Sequence, residues 1–494
     1  MNVTSLLFIL LAFTAALVYQ RLPAKLRNLW LLVVSAAFVA TWSWQFILVL
    51  LAFGWINYAF GLRIETSQAK KKGWVVFGIL INLAVLFVFK YNHFYQPALA
   101  RLLEGMGIQG ISDGLRILLP VGLSFLVVQA IGYLVDVSNA RQKAERDLVK
   151  FLVFNLYFPK LLSGPVERAR LFLPRLDNPL KLDRELLERS LALLLTGLFR
   201  KIFFADALFR MIPENAFLTP QDYAGQHLVF WLLAYAFALY NDFAGYTSIV
   251  RGVSLWFGIE LTNNFNLPYL SHDFTEFWNR WHISLSSWLR DYIFFPVSRA
   301  LMRRFPSRTN FLSLAVPPLA TMLASGLWHG LSWNLLVWGG LHGCFLLGER
   351  VWGLVKKPVP LAERSRWQKA LGLILTFTLT VLAWLPFRMS LPVAANYLAG
   401  MFRWIMPDKD LILAYLKGTT DAISWSPLNL PNPLLLLMIG LAIGFDCLMN
   451  RAGSERDLRS FSTAGQIVLS VLMALLILVS LFTDTTAPFV YQGF

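Results

Sequence analysis

The chain has few charged residues for its length. Only 15% of its 494 residues are charged, whereas soluble domains usually carry about 25%. Hydrophobic residues make up 57%, and the mean hydropathy is +0.57. So few charges could not cover the surface of a soluble protein of this size, and so apolar a chain is not disordered. The composition therefore excludes an ordinary cytosolic enzyme and predicts a protein that uses lipid as its outer solvent.

The motifs of several common enzyme classes are also missing. The two cysteines, Cys344 and Cys447, lie in apolar sequence and provide neither a disulfide framework nor a cysteine-based metal motif. The sequence contains no His-Glu-x-x-His zinc motif, no carboxylate cluster, no serine-hydrolase elbow and no phosphate-cradling glycine loop. We therefore expect no bound metal and no bound cofactor.

The positive charge is spread over short clusters. The sequence carries 44 Lys and Arg against 28 Asp and Glu, which gives a formal net charge of +16. These basic residues form no long run and lie between apolar stretches, as in the cytoplasmic loops of membrane proteins. This distribution argues against nucleic acid as the main partner and favours membrane lipid.

About twelve apolar stretches approach the roughly 20 residues that a helix needs to cross a bilayer. The first stretch has no cleavage-site pattern and is followed at once by further spans, so we interpret it as a retained helix. The sequence thus predicts an all-α polytopic membrane protein with a single multi-pass domain over residues 1–494. The predicted spans are 5–19, 29–44, 46–60, 74–89, 115–137, 190–211, 227–250, 311–327, 332–347, 370–386, 433–449 and 466–482.

The charge of the early loops alternates. Basic residues occupy the connections 20–28, 61–73 and 138–150, whereas the turn at 44–46 has none and the predicted loop 92–114 is nearly neutral. By the positive-inside rule, the N-terminus is expected outside the cell. The same rule places the loops that contain Lys70 and Lys143 in the cytoplasm.

Two stretches, 151–182 and 261–304, are apolar but interrupted by prolines and polar residues. Such backbone is too costly in lipid and is tolerated where protein or a watery cavity surrounds it. We therefore expect both to be re-entrant or interfacial segments. Taken as one helix, residues 277–292 place Phe277, Trp281, Leu285, Trp288 and Tyr292 on one apolar stripe.

The polar face of that predicted helix carries Arg280, which can pair with Glu276 one turn earlier. His282 lies at the edge of the apolar stripe. Composition alone leaves two interpretations of His282 open. It is either a structural histidine that packs in the core or a functional residue.

His329 is the stronger candidate because it lies in an apolar stretch, between Trp328 and Gly330. An ionisable group at membrane depth is costly and indicates function by default. A buried neutral imidazole is also the form that a general base requires. The alternative is a buried histidine bonded to a neighbouring helix. His342 follows 342 − 329 = 13 positions later, so on one uninterrupted helix the two rings would face different sides and a shared metal is not expected.

At these residues the sequence resembles the membrane-bound O-acyltransferase family. The resemblance is to its bacterial branch, which contains the alginate O-acetylation and teichoic-acid D-alanyl transfer membrane proteins. It covers most of the chain, and its strongest parts are the 277–292 segment and the Leu-Trp-His-Gly motif at 327–330. Further matching stretches are 119–125, 133–137, 158–165, 197–201, 242–246, 264–269 and 488–491.

The resemblance implies a barrel-like helical fold with thin re-entrant helices around a central tunnel between the two membrane faces. It also implies roles for individual residues. His329 matches the essential histidine, His282 matches a second conserved polar position, and His342 matches a further histidine of less clear role. The same resemblance suggests Asn266, Arg280 and Trp328 as weaker tunnel candidates. One departure, Pro-Val-Ser-Arg at 296–299 instead of a Pro-Leu-Gly-Gly turn, weakens alginate as the acceptor.

These observations lead to a hypothesis of short-acyl transfer across a bacterial inner membrane, with acetyl as the preferred group. The donor would be cytoplasmic, acetyl-CoA being the simplest. The acceptor would be a hydroxyl of a periplasmic acetyl-carrying or acetyltransferase partner, or of an exported polysaccharide. The competing class is a transporter or flippase for a lipid-linked sugar, which should show paired repeats that we do not find in the sequence. A structural membrane scaffold is the third possibility.

Overall fold

The described part of the chain is entirely helical. A computed structural model describes residues 3–67, 69–106, 119–307, 309–356, 359–404, 432–451 and 458–483. Within these ranges there are helices and turns but no strand. The predicted all-α class is therefore confirmed.

The helices described in the first half of the chain range from 4 to 31 residues in length. They are α1 (Leu6–Arg21), α2 (Ala24–Ala40), α3 (Trp44–Thr66), α4 (Lys71–Lys90), α5 (Asn92–Gly105), α6 (Leu123–Ser138), α7 (Leu148–Leu156), α8 (Phe158–Leu161), α9 (Ala169–Asp177), α10 (Arg184–Leu198), a π-helix (Phe199–Asp206), α11 (Ala207–Arg210) and α12 (Gly225–Leu255).

The second half begins with short helices and ends with long ones. They are α13 (Phe274–Arg280), α14 (Ile283–Leu289), a second π-helix (Arg290–Phe294), α15 (Phe295–Arg304), α16 (Phe311–His329), α17 (Trp333–Val355), α18 (Arg366–Arg388), α19 (Leu391–Gly400) and two further helices, Pro433–Arg451 and Thr463–Thr483. Short 3₁₀ turns occur at Glu214–Phe217, Pro220–Asp222, Pro268–Leu270, Leu361–Glu363 and Leu458–Ser460.

Within the described ranges, seven helices are long and apolar enough to cross a bilayer, which confirms a multi-pass membrane protein. Their apolar parts lie at Trp44–Thr66, Lys71–Lys90, Gly225–Leu255, Phe311–His329, Arg366–Arg388, Pro433–Asn450 and Thr463–Leu481. The helices Leu6–Arg21 and Leu123–Ser138 are apolar but shorter. Each predicted span overlaps a helix, although residues 115–118 of the fifth lie outside the described ranges. The number of crossings stays a prediction.

The predicted loop at 92–114 is wrong in its first part, because α5 begins at Asn92 and ends at Gly105. Its sequence after Pro97 reads Ala-Leu-Ala-Arg-Leu-Leu-Glu, and these residue types have high helix propensity. Pro97 lies inside the helix as its sixth residue, where it removes one intrahelical hydrogen bond without ending the helix. The near-neutral charge of this segment therefore did not indicate a loop.

The two proline-interrupted stretches are built from short helices, as expected. The longest helices of the first stretch, α7 and α9, have 9 residues each, or about 14 Å of helix, which cannot span a bilayer. Residues 151–169 are buried without exception. This burial confirms that protein surrounds the first stretch. In the second stretch, burial extends from the 264–270 segment to Leu289 with interruptions, and exposure increases along α15.

Contacts between Cα atoms group the chain into two compact units. One contains the described residues up to Leu194 together with Ile249–Asn263, and the other contains Leu195–Ser248 together with the described residues from Asn264 onward. In the first unit, the buried Lys160 ammonium donates to Oε1 of Gln129 and lies over the rings of Phe154 and Phe172. The single-domain interpretation and the central tunnel stay predictions.

Among the seven candidate membrane spans of the described ranges, α12 is the most buried. In α12, 78% of the most apolar window is buried, whereas the corresponding values are 17% for α4 and 11% for the helix Thr463–Thr483. A helix in lipid needs no polar face, so low burial of an apolar helix indicates lipid contact. The segment of α12 that belongs to the second unit is therefore part of the core of that unit, and it contacts His282.

Candidate functional site

A strained loop holds His282. The helix is interrupted between α13 and α14, and His282 has φ +43°, in the left-handed region. Such a conformation costs a non-glycine residue about 1–3 kcal/mol and persists only where the surroundings enforce it. The prediction of one helix over 277–292 is therefore wrong, because the chain leaves the helix at Trp281. Phe277, Trp281, Leu285 and Trp288 are nevertheless all buried.

The segment at 264–266 provides the enforcing contacts. The backbone N–H of Ile283 donates to the carbonyl of Asn264 (2.9 Å), and that of Ser284 donates to the Asn264 side-chain oxygen (3.2 Å). The N–H of Asn266 donates to the carbonyl of Arg280 (2.9 Å). Three hydrogen bonds thus clamp both sides of His282. The ring itself is 2% exposed and packs edge-on against Phe243 at 4.8 Å.

The predicted pair between Glu276 and Arg280 is confirmed. The Arg280 guanidinium lies 2.5 Å from Oε1 of Glu276 and donates to the carbonyl of Leu267 (3.4 Å). Glu276 also contacts Nδ1 of His272 at 3.2 Å. The Arg280 guanidinium is thus paired with Glu276 and the Leu267 carbonyl. Its suggested place in a substrate tunnel stays a prediction. Asn266 belongs to the clamp through its backbone, and its tunnel role likewise stays a prediction.

His329 is the last residue of α16, where that helix turns into α17. Two glycines allow the helices to approach closely. A Cβ added to Gly326 would overlap the carbonyl oxygen of Leu335, and one added to Gly339 would overlap that of Met322. Gly326 thus permits close approach of the α17 backbone. This tight hairpin fixes the position of His329 against α17.

Aromatic rings enclose His329, which is 5% exposed. Its ring centroid lies 4.8 Å from that of Trp328, 5.2 Å from Trp338 and 5.1 Å from Phe387. Trp328 also contacts His282, at 6.3 Å. Both histidines predicted as catalytic are therefore neighbours of one tryptophan in the second unit, although 329 − 282 = 47 positions separate them in the sequence.

His342 belongs to the same aromatic cluster. Its ring is fully buried and lies 5.2 Å from Trp338 and 5.0 Å from Trp278. Trp338 therefore contacts both His329 and His342. The helix breaks after His329, so the assumption of one uninterrupted helix through both histidines does not hold. No group of three or more His, Cys, Asp or Glu side chains that could hold a metal occurs in the described ranges.

A cavity of about 250 Å³ adjoins this cluster at Trp278. Its wall is mixed, with apolar side chains, uncharged polar side chains and the guanidinium groups of Arg290 and Arg350. Such a lining suits a molecule that has an apolar or amide-bearing chain and a negative group. The lining residues are Thr275, Trp278, Asn279, Ser286, Leu289, Arg290, Phe294, Pro318, Thr321, Met322, Leu346 and Arg350.

The same unit contains a buried ion cluster that was not predicted from the sequence. Nζ of Lys201, on the first π-helix, lies 2.8 Å from Oδ1 of Asp206 and 2.7 Å from Oδ1 of Asp242. All three side chains are almost completely buried. Short π-helical segments are frequent at functional sites. The available signal was an Arg-Lys pair within an apolar run, which indicates a functional position in a membrane protein.

A second buried pair lies beside it. Arg200 donates to Oδ1 of Asp446 at 2.7 Å and to Oδ1 of Asn241 at 2.7 Å. Asp446 belongs to the helix Pro433–Arg451 and Asn241 to α12, so Arg200 joins three helices. Because Phe243 follows these polar residues on α12 and contacts His282, the ion pairs support the helix that packs against the candidate site.

The chain is similar in sequence to proteins of one known family. The profile of the family described as MBOAT, membrane-bound O-acyltransferase family, matches residues 123–391. That range includes His282, His329, His342 and all residues of the cavity wall.

Individual relatives match most of the chain. A probable alginate O-acetylase of Azotobacter vinelandii is 34% identical over 412 residues, covering 81% of this chain and 78% of the relative. A peptidoglycan O-acetyltransferase of Helicobacter pylori is 28% identical, covering 76% and 73%. A teichoic acid D-alanyltransferase of Streptococcus thermophilus is 32% identical over 286 residues, covering 54% and 68%.

Proposed function

Because the chain belongs to the membrane-bound O-acyltransferase family and is thus an acyl-transferring enzyme, we propose that it moves an acetyl group across a bacterial inner membrane. The donor is a cytoplasmic thioester, acetyl-CoA being the simplest, and the acceptor is a hydroxyl on the outer side. The observation that carries this proposal is the grouping of His282, His329 and His342 around Trp328 and Trp338, within the matched range.

In this proposal His329 is the general base. The acceptor hydroxyl oxygen attacks the thioester carbonyl carbon while His329 takes the hydroxyl proton. The carbon–sulfur bond then breaks, and the leaving thiolate receives the proton from His329. The surrounding rings exclude water, which limits hydrolysis of the thioester. General-base catalysis typically contributes about 10²–10⁴-fold in rate.

His282 has a positioning role in this scheme. Three hydrogen bonds hold the backbone on both sides of His282, and its ring packs against Phe243, which restricts the orientation of the imidazole. A fixed imidazole can orient the donor or the acceptor by a hydrogen bond, and correct orientation of reactants contributes strongly to rate. The left-handed φ of His282 supports this role, since strained residues cluster at functional sites.

The donor arm is proposed to occupy the cavity beside Trp278. The cavity volume of about 250 Å³ accommodates part of a narrow pantetheine chain, whose amides and methylenes suit the mixed wall. The guanidinium groups of Arg290 and Arg350 suit the phosphates of CoA. The net charge of +16, concentrated in the basic loops, would also raise the local concentration of an anionic donor.

The acceptor class rests on the named relatives. The alginate and peptidoglycan O-acetyltransferases, 34% and 28% identical, support acetylation of an exported polysaccharide. The described residues include no separate carbohydrate-binding module, so we propose that a periplasmic acetyl-carrying or acetyltransferase protein completes the transfer. The alternative of a lipid-linked sugar flippase has no support from these relatives, which are named as an O-acetylase, an O-acetyltransferase and a D-alanyltransferase.

The test compares His329→Gln with wild type in a strain that lacks the chromosomal gene. Ester-bound acetate on the exported polymer is released by mild alkali and quantified. Glutamine keeps hydrogen bonding but cannot take the proton, so we expect acetate to fall roughly 10²-fold or more, as for loss of a general base. His227→Gln is the matched control, because the His227 ring contacts Trp231 and lies outside the cluster. Near wild-type acetate in His329→Gln would refute the base assignment, and unacetylated polymer in the wild type would refute the function.

A further inference from the structure

Three side chains near the proposed base contain buried nitrogen atoms that have no hydrogen-bond partner among the described residues. These atoms are Nε1 of Trp278, Nε1 of Trp338 and both ring nitrogens of His342, which are buried and unpartnered among the described residues. His342 and Trp338 are 0% and 1% exposed. A buried polar group left unsatisfied costs about 1–3 kcal/mol. Several such groups in one place indicate a site for a polar guest.

These side chains form one contiguous group, here named the Trp–His cluster (Trp278, Trp338 and His342). Ring centroids lie 5.0 Å apart for Trp278 and His342, 5.2 Å for Trp338 and His342, and 6.0 Å for the two tryptophans. Trp338 also contacts the ring of His329 at 5.2 Å, and Trp278 lines the cavity. The Trp–His cluster therefore joins the proposed donor cavity to the proposed base.

The chemistry of these nitrogens restricts the guest. An indole N–H can only donate, and a neutral imidazole donates one hydrogen bond and accepts one. The cluster thus presents up to three donors and a single acceptor. The guest must supply lone pairs, and an oxygen atom that gains negative charge matches this excess of donors best. Donors in a site without water stabilise such charge strongly, because the local dielectric constant is low.

We propose that the Trp–His cluster binds the carbonyl oxygen of the acyl donor and stabilises the negative charge that develops on it. This inference rests on the proposed acyl transfer. When the acceptor oxygen bonds to the carbonyl carbon, the C=O π electrons move onto this oxygen, and the hydroxyl proton passes to His329. When the C=O bond forms again, the carbon–sulfur bond breaks and the thiolate takes the proton from His329. Trp278 and Trp338 are then catalytic residues in addition to the histidines.

Phenylalanine substitutions isolate the N–H groups, because phenylalanine keeps an aromatic ring and removes the donor. Acetyl transfer from radiolabelled acetyl-CoA to the host polymer is measured in membrane vesicles, for Trp338→Phe and Trp278→Phe. Loss of one such donor typically lowers kcat about 10²–10³-fold, and we expect this loss with little change in the KM for acetyl-CoA. The matched control is Trp288→Phe, whose Nε1 is also buried and unpartnered but whose ring contacts Tyr292; it should keep wild-type kcat.

His342 gives a second test. His342→Gln keeps an N–H donor and should retain more kcat than His342→Leu, which has none. A purely packing role predicts that His342→Leu is more thermally stable than His342→Gln. It also predicts that the two variants have the same kcat. The inference is overturned if Trp338→Phe turns over as fast as Trp288→Phe, or if its defect lies only in KM or in thermal stability. Vesicles of the wild type that transfer no acetyl group would overturn the proposed function itself, and the inference with it.

Discussion

Replacing Lys201 by methionine should destabilise the protein more than any change of an exposed lysine. The Lys201 ammonium lies 2.8 Å from Asp206 and 2.7 Å from Asp242, and the exposed fractions of the three side chains are at most 1%. At an effective dielectric constant of about 20, each pair has roughly 6 kcal/mol of Coulombic attraction, much of which offsets desolvation. Removing one partner of a buried pair costs about 3–5 kcal/mol, and here both carboxylates lose their cation. We therefore expect a loss near the upper end of that range.

The assay is unfolding of the purified protein in mild detergent by increasing sodium dodecyl sulfate, followed by circular dichroism. Lys70→Met is the matched control, since Lys70 is exposed and surface substitutions usually change stability by less than about 0.5 kcal/mol. A triple variant, Lys201→Met with Asp206→Asn and Asp242→Asn, removes all three charges and should recover much of the loss. If Lys201→Met unfolds at the same concentration of sodium dodecyl sulfate as Lys70→Met, the buried ion cluster does not contribute to stability in this way.

Two further predictions concern His282 and topology. His282→Ala should lower acetyl transfer roughly 10- to 100-fold through lost positioning while expression and thermal stability persist; joint loss of expression and activity would instead assign His282 a packing role. A cysteine at position 71, in a chain with Cys344 and Cys447 changed to serine, should resist a membrane-impermeant maleimide in intact cells, because the basic loop is expected in the cytoplasm. Thr41→Cys, on the side predicted to be outside, should react, and ready labelling at position 71 would contradict the topology.

The catalytic candidates could be found from the sequence because their signal is local. His329 stands out as an ionisable residue in an apolar stretch, and the Trp-His-Gly motif carries the family resemblance. The pair of Glu276 and Arg280 was predictable for the same reason, since residues four apart meet on any helix. Predictions of this kind depend only on neighbours along the chain.

The conformation of His282 was not predictable in this way. Helical periodicity treats 277–292 as continuous, and each residue type there is compatible with a helix. The chain leaves the helix at Trp281 because hydrogen bonds with a separate segment, accepted by Asn264 and donated by Asn266, enforce the interruption. A pattern within one segment contains no information about which other segment will supply those bonds.

The sequence by itself determined that this protein is helical and uses lipid as its solvent, because hydropathy and charge are sums over residues that need no tertiary structure. Tertiary structure alone decided that Trp338 contacts both His329 and His342, and that Lys201 meets Asp242 on another helix. Long-range pairings depend on how helices pack, and packing is settled by all the contacts of the core together. The histidines could therefore be named from the sequence, whereas the rings and charges that surround them could be assigned only from the fold.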